Sequence, residues 1–283
     1  MLIDYGVPSD YSAHKKLSLS WDDCLNYCYN LATCIVVYDQ DCQMFEIGAI
    51  SSVESGSVKL VAFKIATNSS VCPMDSTSAM EGSVLTNSTF QTYTITYNSP
   101  VWSFNTSTLI SCPSNFTMFS RPLGPWCMKV IQSSTCLSQT SSSTACSTTY
   151  EGQLSGLESQ EEFDFASANA ISFWSSQTKY SAFGFWVDGS RKSTCVPVQA
   201  KSATCNGTNE FTYSDPTLSS VPQGYSWLSG QPDGLLITSI ASNCVNLIVW
   251  NATFYGTDDY ACSGTTTTSN VCYNGYICGL RPS

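Results

Sequence analysis

Residues 159–187 read SQEEFDFASANAISFWSSQTKYSAFGFWV and decide the fold class of the larger part of the chain. Ser159 followed by Glu162 has the form of a capping box, which marks the start of a helix. The apolar residues that follow recur at helical spacing: Phe163, Ala166, Ala170, Ile171 and Trp174. Residues 182–187 are apolar and aromatic, which is typical of a buried strand. The stretch therefore predicts a helix over residues 160–175 and a strand after it.

The segments around this stretch predict an α+β domain with an antiparallel sheet, because its helices come early and its strands late. A shorter helix is expected around Cys146. Further strands are expected at residues 244–250 and 272–280, which are rich in β-branched and aromatic side chains.

The first 65 residues form a separate pattern. Ser20, followed by Asp23, is a candidate N-cap for a helix that reaches Asn30. Strands are expected at residues 34–38, 42–46 and 58–65.

Residues 67–110 differ from both flanks because they are rich in Ser, Thr and Asn. A short β-like run at residues 92–97 interrupts this composition. We predict a glycosylated spacer here, which gives three regions: 1–66, 67–110 and 111–283.

The composition indicates an extracellular protein. The chain has 283 residues with 15 cysteines, and so many cysteines are typical of disulfide-stapled proteins of the secretory pathway. Acceptors of the form Asn-x-Ser/Thr fit N-glycosylation there: Asn68, Asn87, Asn105, Asn115, Asn206 and Asn251. The net charge of −10 argues against nucleic acid or anionic lipid as a partner.

The single histidine, His14, limits the chemistry that the chain can perform. Histidine-dependent triads, mixed Cys/His zinc sites and histidine general bases would all need this one residue. Chemistry by paired carboxylates stays open, but the acidic residues lie in unrelated segments. We therefore expect a protein that is not an enzyme.

Neither a membrane span nor a signal peptide is visible in the sequence. The longest apolar runs are far shorter than the ~20 residues that cross a bilayer. The first residues, MLIDYGVPSDYS, lack a basic start followed by an apolar stretch. Because the cysteines indicate secretion, we interpret the chain as a mature or truncated form without its leader.

Several short strings of the third region, taken together, resemble the C-type lectin-like domain. They are Cys112-Pro113 with Trp126-Cys127, Gly152-Gln153-Leu154 after Cys146, Phe185-Trp186-Val187-Asp188-Gly189, Trp227-Leu228-Ser229-Gly230-Gln231-Pro232-Asp233-Gly234, Asn243-Cys244-Val245, Asp259-Tyr260-Ala261-Cys262 and Ile277-Cys278-Gly279. The resemblance covers about residues 111–281 and implies a long-form C-type lectin-like fold that binds carbohydrate.

The first region resembles a PAN/apple-like domain, in the variant that precedes such lectin-like domains in nematode proteins. The strings that carry this resemblance are Tyr5-Gly6, Ser20-Trp21-Asp22-Asp23-Cys24 and Val61-Ala62-Phe63-Lys64, together with the spacing of the first four cysteines. Spacing alone leaves three pairings of those four cysteines open.

The two resemblances imply a set of disulfides. The implied pairs are Cys24–Cys42, Cys28–Cys34, Cys112–Cys127, Cys146–Cys278, Cys244–Cys262 and, as a local loop staple, Cys195–Cys205. Cys136–Cys272 is a further expectation, and it leaves Cys72 as the odd cysteine. An odd cysteine in a secreted protein indicates an intermolecular bridge or a free thiol.

In the lectin family a calcium ion bridges protein oxygens and two sugar hydroxyls, next to a proline whose preceding bond is cis. On this chain the flanking residues are Gln231 and Asp233, in the Gln-Pro-Asp form that accompanies galactose-type selectivity. The acidic pair of the family falls on Asp258 and Asp259. The resemblance thus implies that these four residues bind calcium and carbohydrate.

Two positions depart from the family's pattern. Ser242 stands where a glutamate ligand is usual, and Thr257 stands where a tryptophan is usual. The loss of a carboxylate lowers the number and charge of calcium ligands and so weakens the site. Because Gly-Gln-Pro-Asp-Gly also fits an ordinary turn, a member of this fold that binds no calcium stays an alternative.

The aromatic residues divide into core and surface candidates. We expect Trp186, Trp227 and Trp250 to pack in the core. Tyr225 or Tyr260 is expected beside the Gln-Pro-Asp loop, where an exposed ring would stack on a galactose ring.

The leading hypothesis is a secreted carbohydrate-binding protein, calcium-dependent and galactose-type, whose partners are glycans and which performs no bond chemistry. The alternative is a calcium-independent extracellular module for protein interaction or adhesion. Recognition of microbes in innate immunity follows from the resemblance alone, and no residue of the sequence indicates it.

Overall fold

A computed structural model of the chain describes residues 1–65, 79–196, 202–237 and 240–283. The chain divides into two compact units, Met1–Ser111 and Cys112–Ser283. Asn68 and Cys72 lie outside the described residues, so the predictions for them stay predictions.

The first unit is an antiparallel sheet, and one helix packs against it. Its elements are β1 (Leu2–Tyr11), β2 (Lys15–Lys16), α1 (Trp21–Asn30), β3 (Cys34–Tyr38), β4 (Gln43–Glu46), β5 (Ile50–Phe63), β6 (Met80–Leu85), β7 (Thr89–Asn98), β8 (Val101–Thr106) and β9 (Ile110–Ser111). The strand order is β2-β4-β3-β5-β8-β7-β6, with β1 on β5 and β9 on β7.

Helix α1 begins where the sequence predicts. The Ser20 side chain accepts a hydrogen bond from the backbone N of Asp23 at 3.3 Å, which satisfies one free donor of the first turn. Cys24 and Cys28 lie one turn apart on the buried face of the helix. They pair with Cys42 and Cys34, and these two disulfides join the helix to the sheet.

Residues 80–111 differ from the spacer expected over residues 67–110, because they form strands of the same sheet. Strand β8 pairs with β5, where Trp102 lies opposite Val53. Trp102 is buried, and its Nε1 donates to the Asp4 carboxylate at 2.9 Å. Threonine is β-branched and favours strands, so a polar, Thr-rich composition does not exclude a sheet.

The second unit packs two helices against a mixed sheet. Its elements are β10 (Thr117–Phe119), β11 (Trp126–Gln132), α2 (Gln139–Tyr150), β12 (Gln153–Leu154), α3 (Gln160–Ser175), β13 (Ala182–Arg191), β14 (Phe211–Thr212), β15 (Leu236–Ile237), β16 (Ile240–Asn251), β17 (Phe254–Ala261) and β18 (Val271–Leu280). The main order is β10-β11-β18-β13-β16-β15, with β12 on β18, β14 on β13 and β17 on β16.

One pair of strands departs from the expected antiparallel sheet. Strands β13 and β18 run parallel, with Phe185 opposite Gly275. A Cβ at Gly275 would lie 2.0 Å from the Phe185 ring, so glycine lets the ring lie over the neighbouring strand. Among the described residues, no helix has the length and apolarity needed to cross a membrane.

Helix α3 has the predicted bounds, and the Ser159 side chain accepts from the backbone N of Glu162 at 3.3 Å. Its apolar face, with Phe163 and Ala166, packs on side chains of the sheet such as Phe185. This burial of apolar surface is what stabilises the helix in place.

Five further disulfides lie in the second unit, and they are the pairs that the sequence analysis expects. They are Cys112–Cys127, Cys136–Cys272, Cys146–Cys278, Cys195–Cys205 and Cys244–Cys262. The seven disulfides among the described residues, together with this fold, fit an extracellular protein.

A buried arginine, Arg121, is a feature of this core that the sequence analysis missed. Its guanidinium binds Glu162 of α3 through two N–H donors, at 2.7 and 2.8 Å, and Asp215 at 2.8 Å. All three side chains are fully buried. The ion pairs of Arg121 therefore connect helix α3, through Glu162, to the long segment between β13 and β15, through Asp215.

Candidate functional site

The Gln-Pro-Asp loop lies in the long segment between β14 and β15. The peptide bond between Gln231 and Pro232 is cis, as the family resemblance implies. Just before it, the backbone N of Leu228 donates to the Thr257 carbonyl at 3.0 Å, and Thr257 N donates to the Ser226 carbonyl at 2.8 Å. These bonds attach the loop to β17, the strand that carries the acidic pair.

Polar groups of the loop bind one another. The backbone N of Asp233 donates to Gln231 Oε1 at 2.9 Å, and the Asp233 carboxylate accepts from the backbone N of Leu235 at 2.9 Å. The amide of Gln231 also donates to Asp233 Oδ2 at 3.3 Å. These bonds within the loop contribute to its shape.

Asp258 and Asp259 are consecutive on β17, where Asp258 is half-buried and Asp259 is buried. Asp258 is half-buried and lines a cleft next to Gln231 and Asp233. Burial, with the negative charges of Asp259 and Asp233 nearby, raises the pKa of Asp258 to about 7. One oxygen of Asp258, Oδ1, accepts a hydrogen bond from the backbone N of Asp259 at 2.9 Å. With a pKa of about 7, the Asp258 side chain exchanges a proton in the neutral pH range.

Asp259 faces inward and is committed to the protein itself. Its two oxygens accept from Arg191 Nη2 at 2.7 Å, from the backbone N of Gly234 at 2.9 Å and from the backbone N of Asp233 at 2.8 Å. Burial raises the pKa of Asp259, while the Arg191 guanidinium acts in the opposite direction.

The structure thus brings all four predicted residues together at one end of the cleft, but they do not fit a calcium site. Calcium takes roughly 6–8 oxygen ligands. Three protein donors already bind the Asp259 carboxylate. The Ser242 hydroxyl, at the usual glutamate position, donates to the Leu235 carbonyl at 2.9 Å. In the described residues, no group of three or more His, Cys, Asp and Glu side chains is arranged to hold a metal.

The cleft itself has a volume of about 460 Å³. Its polar wall carries Gln231, Asp233, Asp258 and Asp259, and the hydroxyl residues 266–269 also line it. Among the described residues that line it, none is Lys, Arg or His. Acidic side chains in the lining disfavour an acidic ligand, so the charge of the cleft favours a neutral or cationic one.

Aromatic side chains form the apolar part of the same cleft. Tyr260 is half-buried and stacks on the buried Tyr273, with ring centroids 4.6 Å apart, which fixes its ring in place. Trp250 is also half-buried and lines the cleft, so the prediction that it packs in the core is wrong. Its position at the end of β16, where the strand leaves the core, explains the difference.

Of the other aromatic predictions, those for Trp186 and Trp227 are confirmed and that for Tyr225 is wrong. Trp186 is fully buried, and the half-buried Trp227 packs against the core. Tyr225, expected as an exposed ring beside the loop, is 5% exposed instead, and its hydroxyl donates to the Asp188 carbonyl at 2.8 Å. The low-complexity residues 266–269 gave no functional signal in the sequence, and the structure places them on the rim of the cleft.

The sequon asparagines that the structure describes are all exposed: Asn87, Asn105, Asn115, Asn206 and Asn251. Glycosylation needs an accessible acceptor, so their exposure agrees with the prediction of N-glycans without testing it.

Comparisons with known proteins agree with this fold. The profile of a PAN-like domain matches residues 1–65, and that of the C-type lectin domain-containing protein 141/158 family matches residues 111–281. A search of the curated proteins finds no match.

Several solved structures are similar to the second unit. The mouse scavenger receptor C-type lectin carbohydrate-recognition domain is 15% identical, with a TM-score of 0.38 over 61% of this chain and 99% of that one. Human lithostathine is 16% identical, with a TM-score of 0.38 over 60% and 91%. Herring type II antifreeze protein is 16% identical, with a TM-score of 0.38 over 61% and 99%. On the profile match over residues 111–281, the chain belongs to the C-type lectin domain-containing protein 141/158 family and carries a PAN-like domain before the lectin domain.

Proposed function

We propose that the lectin domain binds a neutral carbohydrate in the cleft beside the Gln-Pro-Asp loop. The observation that carries this proposal is that a polar wall and aromatic side chains line the same open cleft. Carboxylates accept hydrogen bonds from sugar hydroxyls, and aromatic rings stack on the apolar faces of sugar rings. A ligand site typically has this mixture of apolar lining and a few directed polar groups.

Each side chain has a distinct part in this proposal. Asp258 accepts from sugar hydroxyls, and its raised pKa reflects a carboxylate that such donors would stabilise. Gln231 offers an amide that both donates and accepts. Trp250 and Tyr260 supply the stacking surfaces.

The proposal includes the location of the protein outside the cell. A disulfide-rich chain with exposed sequons fits a secreted glycoprotein that binds ligands and catalyses no reaction. Because the cleft is open, a single site should bind weakly, and multivalent presentation would raise the avidity. The Gln231-Pro232-Asp233 sequence, which in the family accompanies galactose-type selectivity, makes terminal galactose the first sugar to test.

Apolar side chains near the loop support a second candidate, binding of an extracellular protein. Leu235 and Ile240 are 59% and 49% exposed and flank the strand pair β15–β16. Exposed apolar residues of this kind contribute to protein interfaces. This surface would act without the sugar-directed groups of the cleft.

The experiment is a screen of the purified chain on an array of neutral and acidic glycans, with two cleft variants, Asp258→Ala and Trp250→Ala. We expect binding to neutral, galactose-terminated glycans that both variants lose by about tenfold or more. Matched controls are Asp164→Ala and Phe254→Ala, which remove exposed residues of the same types outside the cleft.

Folded wild-type protein that binds no glycan would contradict the proposal. So would binding that the controls and the cleft variants reduce equally. If the array shows no glycan binding and Leu235→Asp abolishes binding of a protein partner, the second candidate is established instead.

A further inference from the structure

Arg191 occupies the base of the Gln-Pro-Asp loop as a fully buried cation. Its Nε donates to the Ser242 carbonyl at 3.1 Å, and its Nη2 donates to the Asp259 carboxylate at 2.7 Å. Its Nη1 donates to Glu210, and the guanidinium lies over the Phe211 ring, 4.8 Å from the centroid. The side chain of Arg191 has no exposed surface.

Through these contacts Arg191 joins segments that are distant in the sequence. It stands at the end of β13, Ser242 lies near the start of β16, and Asp259 lies in β17. A buried guanidinium with several charge-assisted hydrogen bonds holds such segments in fixed geometry.

Asp259 connects Arg191 to the loop through hydrogen bonds. The carboxylate that Arg191 binds also accepts from the backbone N–H groups of Asp233 and Gly234. Without the guanidinium, Asp259 would be a buried carboxylate next to Asp233 and Asp258, which costs free energy. The shape of the loop therefore depends on the positive charge of Arg191.

We infer that Arg191 replaces calcium in this domain and holds the Gln-Pro-Asp loop in its binding shape without a metal. In the pattern that the chain resembles, calcium needs a glutamate at the place of Ser242 and the carboxylate at the place of Asp259. Here the carbonyl of Ser242 and the carboxylate of Asp259 both bind the guanidinium. The consequence for sugar binding rests on the proposed function, whereas the consequence for the loop does not.

The first test is thermal unfolding of the wild-type chain in EDTA and in about 10 mM calcium, well above the Kd of the weakest extracellular calcium modules. We expect the two Tm values to agree within about 1 °C, with magnesium as the control for ionic effects. Even a site with a Kd of about 1 mM would gain about 1.4 kcal/mol at this concentration and raise Tm by about 3 °C or more, and such a rise would overturn the inference.

The second test measures hydrogen exchange of the loop amides in Arg191→Met and Asp259→Asn. We expect both variants to lose at least about tenfold in protection at the Gly234 amide, because its acceptor is lost or moves. The loss should be smaller at the Asp233 amide, whose N–H also donates to Gln231 Oε1. Arg121→Met is the matched control, since it removes a second buried arginine that does not contact this loop. It should leave the protection of both amides unchanged.

If Arg191→Met fails to fold, Asp259→Asn alone decides, because it keeps the volume of the side chain and removes its charge. Unchanged protection in Asp259→Asn would overturn the inference. An array without any bound glycan would remove the proposed function and leave both tests of Arg191 intact.

Discussion

Two buried arginines in the lectin domain, Arg121 and Arg191, use the same chemistry in different places. Each is fully buried between two carboxylates: Arg121 binds Glu162 and Asp215, and Arg191 binds Glu210 and Asp259. Arg121 contacts helix α3 and the Trp126 ring, at 5.3 Å from the centroid, so its partners belong to the core.

Arg191 differs because one of its partners adjoins the cleft. Asp259 is next to Asp258 in sequence and holds the backbone of Asp233 and Gly234. The comparison teaches that a buried ion pair can stabilise a core in one place and shape a binding surface in another. The difference lies in what the carboxylate partner contacts, and variants can test it.

The largest expected effect is on stability, and it should be the same at both arginines. Arg121→Met and Arg191→Met each remove a buried guanidinium that binds two buried carboxylates, which should lower the free energy of unfolding by about 3–5 kcal/mol. Urea denaturation with the disulfides intact measures this loss. A loss below about 1 kcal/mol at either site would mean that the ion pair there is dispensable.

A second prediction concerns ligand binding, which should depend on the cleft beside Asp259 and not on the core around Arg121. Trp250→Ala should weaken binding of a galactose-terminated ligand by about tenfold, which is about 1.4 kcal/mol, because the stacking surface is lost. Titration calorimetry measures the affinity. Phe254→Ala, which removes an exposed ring outside the cleft, should leave it unchanged.

The smallest effect concerns the pH dependence of stability at Asp258. Its pKa is about 7 in the folded chain against an ordinary value of 3.8, because of burial and of nearby Asp259 and Asp233. A raised pKa in the folded state contributes stability at acid pH that is lost as the pH rises through about 7. Asp258→Asn should therefore be more stable than the wild type at pH 8, with no difference near pH 3.

The size of this gap is limited because Asp258 is half-buried and water screens its charge. We expect about 1 kcal/mol, or about 2–4 °C in Tm, opening between about pH 4 and 7. Thermal unfolding of both chains over this pH range measures it. If the Tm values of the two chains change in parallel with pH, burial does not raise the pKa of Asp258 and this prediction is contradicted.

The sequence predicted those parts of the molecule that depend on local patterns. The Ser159 N-cap marks the start of helix α3, and the Gln-Pro-Asp string locates the loop with its cis-proline. Both signals lie within a few residues, where propensity and capping decide the structure.

The remainder depends on contacts that no local pattern contains. Arg191 and Asp259 lie 68 residues apart, so their ion pair cannot be inferred without the register of β13, β16 and β17. Of strands β6–β9, the sequence indicates only the part of β7 at residues 92–97, because Thr-rich strands resemble a polar spacer in composition. Trp250 was placed in the core because a tryptophan at a strand end looks the same whether it packs inward or lines a cleft.

The most direct test of the account is the affinity of the wild-type chain for a galactose-terminated multivalent ligand, measured once in calcium and once in EDTA. We predict equal affinity in both conditions, and a loss in both for Trp250→Ala. Binding that disappears in EDTA and returns with calcium would contradict the claim that Arg191, rather than a metal, shapes this binding site.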